Sequence, residues 1–190
     1  MKTFTFIFLI GVVVVGILGA SFYFSHTGTM STGEGKVAEV IGQSLLQAGV
    51  SQNALYTKVY TGTKGHFSFK YPESFNVRSF IEEDGTEILT VENKSTGEGF
   101  QIRIQETDDN PLDITEERIK NDIPDITLND PQEVLLGKSG KGLAFVSDDP
   151  AFGGKSREVW FALDNTFYQI STYFKYDYLV KGMLETWEFK

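Results

Sequence analysis

The chain opens on an unbroken apolar run, FTFIFLIGVVVVGILGASFYF, from Phe4 to Phe24. It carries no charge and matches the roughly 20 apolar residues that a bilayer-spanning helix requires. Phe22, Tyr23 and Phe24 place aromatic rings at its end, as at a membrane interface. Lys2 and the terminal amine precede the run, and no Lys or Arg follows before Lys36. The positive-inside rule then puts the N-terminus in the cytoplasm and the rest of the chain outside it. A cleaved signal peptide is the competing reading. It calls for an apolar stretch of about 7 to 15 residues ending in small residues at −3 and −1, whereas a cut after Ala20 leaves the bulky Leu18 at −3. Length favours an uncleaved, single-pass anchor over residues 1–24.

Residues 25–65 change character. SHTGTMSTGEGK is rich in Ser, Thr and Gly and reads as a flexible spacer. KVAEVIGQSLLQAGV then repeats apolar residues at near-helical spacing (Val37, Val40, Ile41, Leu45, Ala48), with Gly49 where a helix would stop. The segment is a linker with one short amphipathic helix.

From His66 the rhythm becomes that of short strands. In HFSFKYPESFNV, Phe67, Phe69 and Tyr71 alternate with Ser68 and Lys70, so the three rings fill one side of a strand that Pro72 ends. FNVRSFIEEDGTEILTVEN forms a hairpin across Asp84-Gly85. The next strand sets Phe100, Ile102 and Ile104 against Gln101, Arg103 and Gln105, leaving one wet face. Asp113 followed by Glu116, with Pro124 beyond, has the spacing of a capped helix. QEVLLGKSGKGLAFVSDD and REVWFALDNTFYQISTYF are two more hairpins, the second turning at Asp164-Asn165, with Val159, Phe161 and Leu163 on one side of its first arm. DYLVKGMLETWEF closes the chain as a helix beginning near Asp177, with an apolar stripe of Leu179, Val180, Met183, Leu184 and Trp187. Residues 66–190 are therefore expected to form an α+β domain, a largely antiparallel β-sheet flanked by helices and preceded by one N-terminal transmembrane helix.

This order of elements, with FKYPESFNV early and REVWFALDNTFYQISTYF running into a C-terminal amphipathic helix, resembles the PsbP-like domain. That family shares an α/β/α sandwich with the Mog-type Ran-binding proteins. The resemblance covers roughly residues 66–190 and implies a non-enzymatic binding or assembly module. No functional residue carries over. No chloroplast transit peptide is evident, and an exported domain has no access to a cytosolic GTPase.

Composition narrows the chemistry. The chain has no cysteine, so disulfides, thiol nucleophiles and thiolate metal sites are excluded. Its formal net charge of −9 disfavours nucleic acid and anionic headgroups as partners. His66 and His26 are its two histidines. A Ser-His-Asp triad would have to use His66, but no Gly-x-Ser-x-Gly elbow supplies its serine. TDDNPLD (Asp108, Asp109, Asn110, Asp113) and SDDPAFGG (Asp148, Asp149) are rich in oxygen ligands that suit calcium, yet neither has EF-hand spacing. They read as solvated turns. Glu82-Glu83-Asp84 reads as a charged hairpin tip. GKSGKG links strands and lacks the phosphate-loop pattern.

No catalytic residue, metal site or cofactor is assigned. The dense aromatics between Trp160 and Tyr178 are mainly packing residues if both sheet faces are covered. If one face is open, Trp160, Tyr168 and Tyr173 form an aromatic platform for a peptide or glycan. The functional expectation is a membrane-tethered extracytoplasmic module, anchored through residues 4–24, that binds or helps assemble an envelope protein partner. An exported hydrolase with an unrecognised site and a pilin-like structural subunit are the alternatives. The chain lacks the Gly-Phe processing site and the glutamate inside the apolar segment that type IV pilins would lead one to expect.

Overall fold

The computed structural model describes residues 55–190 apart from 65, 109–113, 138–139 and 149–151. In chain order its elements are β1 (Tyr56–Thr61), β2 (Phe67–Pro72), β3 (Asn76–Ile81), β4 (Glu87–Asn93), β5 (Glu98–Glu106), α1 (Glu116–Asp122), β6 (Asn129–Leu136), β7 (Gly140–Ser147), β8 (Ser156–Leu163) and β9 (Thr166–Tyr173). A 3-10 turn (Phe174–Tyr176), α2 (Asp177–Leu184) and β10 (Glu188–Phe189) complete it.

The strands build two sheets. Seven run in the order β3-β4-β5-β9-β8-β7-β6, and three in the order β1-β2-β10; every pairing between neighbours is antiparallel. Local chemistry explains the meander. Gly85 takes φ 85° at the β3–β4 turn, and Asp164 and Asn165 take φ 49° and 59° between β8 and β9, the left-handed pair that suits a two-residue hairpin.

The larger sheet has two unlike faces. On the first, Leu89, Val91, Phe100, Ile102, Ile104, Val159, Phe161, Tyr168 and Ile170 pack against the small sheet (Tyr56, Phe67, Phe69), α2 (Leu179, Val180, Met183) and Trp187. On the second, Phe145, Trp160 and Phe167 pack under Ile119 of α1 and its flanking Ile114, Ile123, Ile126 and Leu128. The expected α/β/α sandwich is therefore corrected. The described residues are mostly β, and the first face is covered by a second sheet together with α2. Sheet and helix share the same apolar surface there, Tyr56, Phe67 and Phe69 lying on it with Leu179, Val180 and Met183.

Among the described residues no helix is long and apolar enough to cross a membrane; the anchor at 4–24 and the helix near 37–48 lie outside the described residues. β1 falls within the span 25–65 assigned to the linker, so the folded unit reaches back to Tyr56. Phe67 and Phe69 are fully buried and Tyr71 is half-buried against the same core. The cap of α1 is Thr115, whose hydroxyl accepts the Arg118 N–H at 3.2 Å. Asp113, the expected cap, lies outside the described residues. Trp187 falls beyond the end of α2, yet it is buried with the apolar stripe.

Candidate functional site

Strand β8 is buried along nearly its whole length because it lies inside the sheet with both faces covered. Alternation then sends Val159 and Phe161 to the first face, and Glu158, Trp160 and Ala162 to the second. A carboxylate is thus forced into the interior. Glu158 is 2% exposed.

Glu158 meets a polar cluster supplied by its neighbours in register. Ser171 lies opposite it on β9 and Phe145 opposite it on β7. Its Oε2 accepts from Ser171 Oγ at 2.6 Å, from Trp160 Nε1 at 3.3 Å and from Gln169 Nε2 at 3.4 Å. Its Oε1 has no hydrogen-bond partner among the described residues. Burial therefore outweighs the donors, and desolvation pushes the carboxyl up to about 7, against the nearby donors, Ser171 foremost, that pull it down. Such a group holds or releases a proton near neutrality.

The cluster continues outward along the sheet. One row runs Glu158, Ser171, Gln101, Thr90 across β8, β9, β5 and β4; the next runs Trp160, Gln169, Arg103, Ile88. Thr90, Gln101, Arg103, Gln169 and Ser171 are all half-buried. Arg103 is held by Glu82 (3.0 Å) and Asp84 (3.7 Å) of the β3–β4 turn, and Arg78 on β3 is paired to Glu92. Asp84 is kept below the usual carboxylate range chiefly by the backbone N–H of Thr86, with Arg103 adding to it. The second face of the large sheet is thus split. An apolar half lies under α1, and a hydrogen-bonding half extends from Glu158 towards β3.

The aromatic candidates do not form one surface. Trp160 (4% exposed) faces α1, while Tyr168 (0% exposed) pairs with Phe161 on the opposite face and stacks on it at 4.6 Å. Tyr173 shares the side of Trp160 by alternation but stands at the far end of β9, where its ring meets Phe152 and Tyr176. The platform of Trp160, Tyr168 and Tyr173 is not assembled.

His66 sits in the turn before β2 with φ 47°, and its carbonyl accepts the Lys190 N–H at 2.6 Å. It belongs to the small sheet, away from the Glu158–Ser171 contact. Among the described residues no group of three or more His, Asp or Glu is placed to hold a metal. Asp109, Asn110, Asp113 and Asp149 lie outside the described residues.

Glu158 was missed in the reading of the sequence although its signal is there. An acid alternating with Trp160 and Ala162, on a strand whose other side is Val159 and Phe161, has no wet position to occupy. No protein-family model matches the chain, and no curated protein matches its sequence.

Proposed function

We propose that the protein is a membrane-tethered binding module whose head is displayed outside the cytoplasm. The apolar run Phe4–Phe24 is the tether, and an envelope protein is the partner. The observation that supports binding over catalysis is the split second face. Its polar half offers Thr90, Gln101, Arg103, Gln169 and Ser171 side by side, half-buried, on a rigid sheet. Such a surface suits hydrogen bonding to a protein partner, with rigid strands fixing the geometry. Ser171 and Glu158 are in contact, and among the described residues the other donors to Glu158 are Trp160 and Gln169 rather than a histidine.

The test is in-membrane crosslinking of the full-length chain beside a Thr90→Ala, Gln101→Ala variant. The expected result is one envelope protein captured by the native chain and lost in a variant whose circular dichroism is unchanged. An identical capture by both would remove the polar half as the binding surface. Alkaline extraction and protease protection check the tether: a chain released by carbonate, or a head protected from protease outside intact cells, would overturn the topology.

A further inference from the structure

A sheet edge exposes unpaired backbone groups, and folded proteins blunt such edges with proline, bulges, shortness or cover. Three of the four edge strands described here are blunted. β6 carries Pro131, Asp130 at φ 50° and a register break between Asn129 and Gln132. β1 is broken between Tyr56 and Lys58, and β10 is two residues long. Among the described residues β3 has none of these devices, and its one charge is Arg78. It pairs with β4 without interruption from Asn76 to Ile81, and all of its side chains except Val77 are exposed. Two of those are large and apolar, Phe80 (39% exposed) and Ile81 (65% exposed).

The phase of its free backbone groups follows from the turn. Glu82 N–H donates to Thr86 O at 2.8 Å. In an antiparallel pair such bonds alternate, so residues 82, 80, 78 and 76 direct their backbone groups to β4. Val77, Ser79 and Ile81 direct theirs outward.

We propose that β3 pairs antiparallel with β3 of a second copy of this chain, in the register that sets Ser79 opposite Ser79. That register matches the outward backbone phase and makes each cross-strand pair compatible. Val77 meets Ile81 of the other copy on the first face. Arg78, which is paired to Glu92 in its own chain, meets the other copy's Phe80 on the second, a cation beside an aromatic ring, with that copy's Glu82 and Arg78 on the two diagonals. Asn76 meets Glu82. A shift of two positions one way would set Arg78 against Arg78, a like-charge pair, and the shift the other way would set Phe80 against Phe80 and Arg78 against Glu82, a register that crosslinking at position 80 would report. The two-fold axis stands perpendicular to the sheet, so the pairing joins two seven-stranded sheets into one. It sets both polar halves side by side on one surface. On the opposite surface lie both copies of β1, where each chain comes in from its first 54 residues. Two tethers reaching one plane are compatible with that arrangement. The inference stands on the edge itself and does not depend on what the polar half binds.

The absence of cysteine makes the test clean. Single-cysteine variants of the full-length chain in mild detergent, oxidised by copper phenanthroline, report proximity at chosen positions. Ser79→Cys is expected to give a disulfide-linked dimer as the main product. Phe80→Cys, and Leu135→Cys on the blunted β6 edge, should each give at least fivefold less. Ser79 donates to Glu87 (2.7 Å), so a Val77→Cys, Ile81→Cys chain serves as a second reporter should Ser79→Cys fold poorly. Adding Ile81→Lys to Ser79→Cys should lower the crosslinked fraction about tenfold while circular dichroism stays unchanged. Equal crosslinking at 79 and 135, crosslinking at 80 in place of 79, or indifference to Ile81→Lys would overturn the proposal.

Discussion

The indole of Trp187 lies flat on the ring of Phe67, with centroids 4.6 Å apart and planes inclined by 2°. Trp187 also meets Tyr168 and Phe161 edge-on, at 5.8 and 5.5 Å. A residue just beyond the last helix therefore clasps the small sheet to the large one. Trp187→Ala should lower unfolding free energy by about 3–5 kcal/mol, the range for emptying a buried aromatic site. Its Nε1 has no hydrogen-bond partner among the described residues, so Trp187→Phe keeps the stacking and should cost clearly less. Urea denaturation of the three proteins checks the order.

At Gly182 of α2, an added Cβ would lie 2.5 Å from the Cζ and hydroxyl of Tyr56. Tyr56 is itself fixed, donating to Leu179 O at 3.3 Å. Two effects oppose each other in Gly182→Ala. Helix propensity favours alanine by about 1 kcal/mol, while overpacking a rigid core contact costs about 1–3 kcal/mol. The clash should win, giving a net loss that thermal denaturation detects, and Tyr56→Phe should not relieve it because the ring remains.

Glu158 should give stability a distinctive pH dependence. Its folded carboxyl is raised to about 7, above the unfolded value near 4.5. Between these values the folded state binds more protons, so stability falls as pH rises through this window and levels off above it. The size is on the order of 3 kcal/mol at 1.36 kcal/mol for each pH unit. Glu158→Gln should flatten that slope. Denaturation of both proteins from pH 4 to pH 8 isolates it, and parallel curves would contradict it.

The β8–β9 turn makes a sharper sequence demand. Asn165 has φ 59°, a conformation that asparagine and glycine tolerate and β-branched residues resist. Asn165→Val should destabilise by about 1–2 kcal/mol, whereas Asn165→Gly should stay within about 0.5 kcal/mol. Melting temperatures of the two variants decide this.

Much of the chain's β structure was legible because its patterns are local. The Asp84-Gly85 and Asp164-Asn165 turns mark their hairpins, and Phe100, Ile102 and Ile104 are buried as alternation requires. What escaped depends on partners distant in sequence. β1 reads YTKVYT, too polar and short to stand out, and it is a strand because β2 is beside it. The layer over the first face was expected to be helical because α2 has a clear stripe. Nothing local says that β1, β2 and β10 would share that face. Register likewise separated Trp160 from Tyr168, since a step of one residue between their strands decides which rings meet.

The three-stranded sheet has a consequence for the speed of folding. Lys70 N–H donates to Thr186 Oγ1 across 116 residues, and β10 pairs with β2 over a similar span. Closing so long a loop comes before most of the contacts that reward it, so β10 is expected to join the β1–β2 hairpin late, an order that pulse-labelled hydrogen exchange would check. Until Trp187 docks, the part of the first face beneath Phe161 and Tyr168 lacks that ring as cover. The contacts of Trp187 with Phe67 and Phe161 are then the ones that fasten the two sheets together.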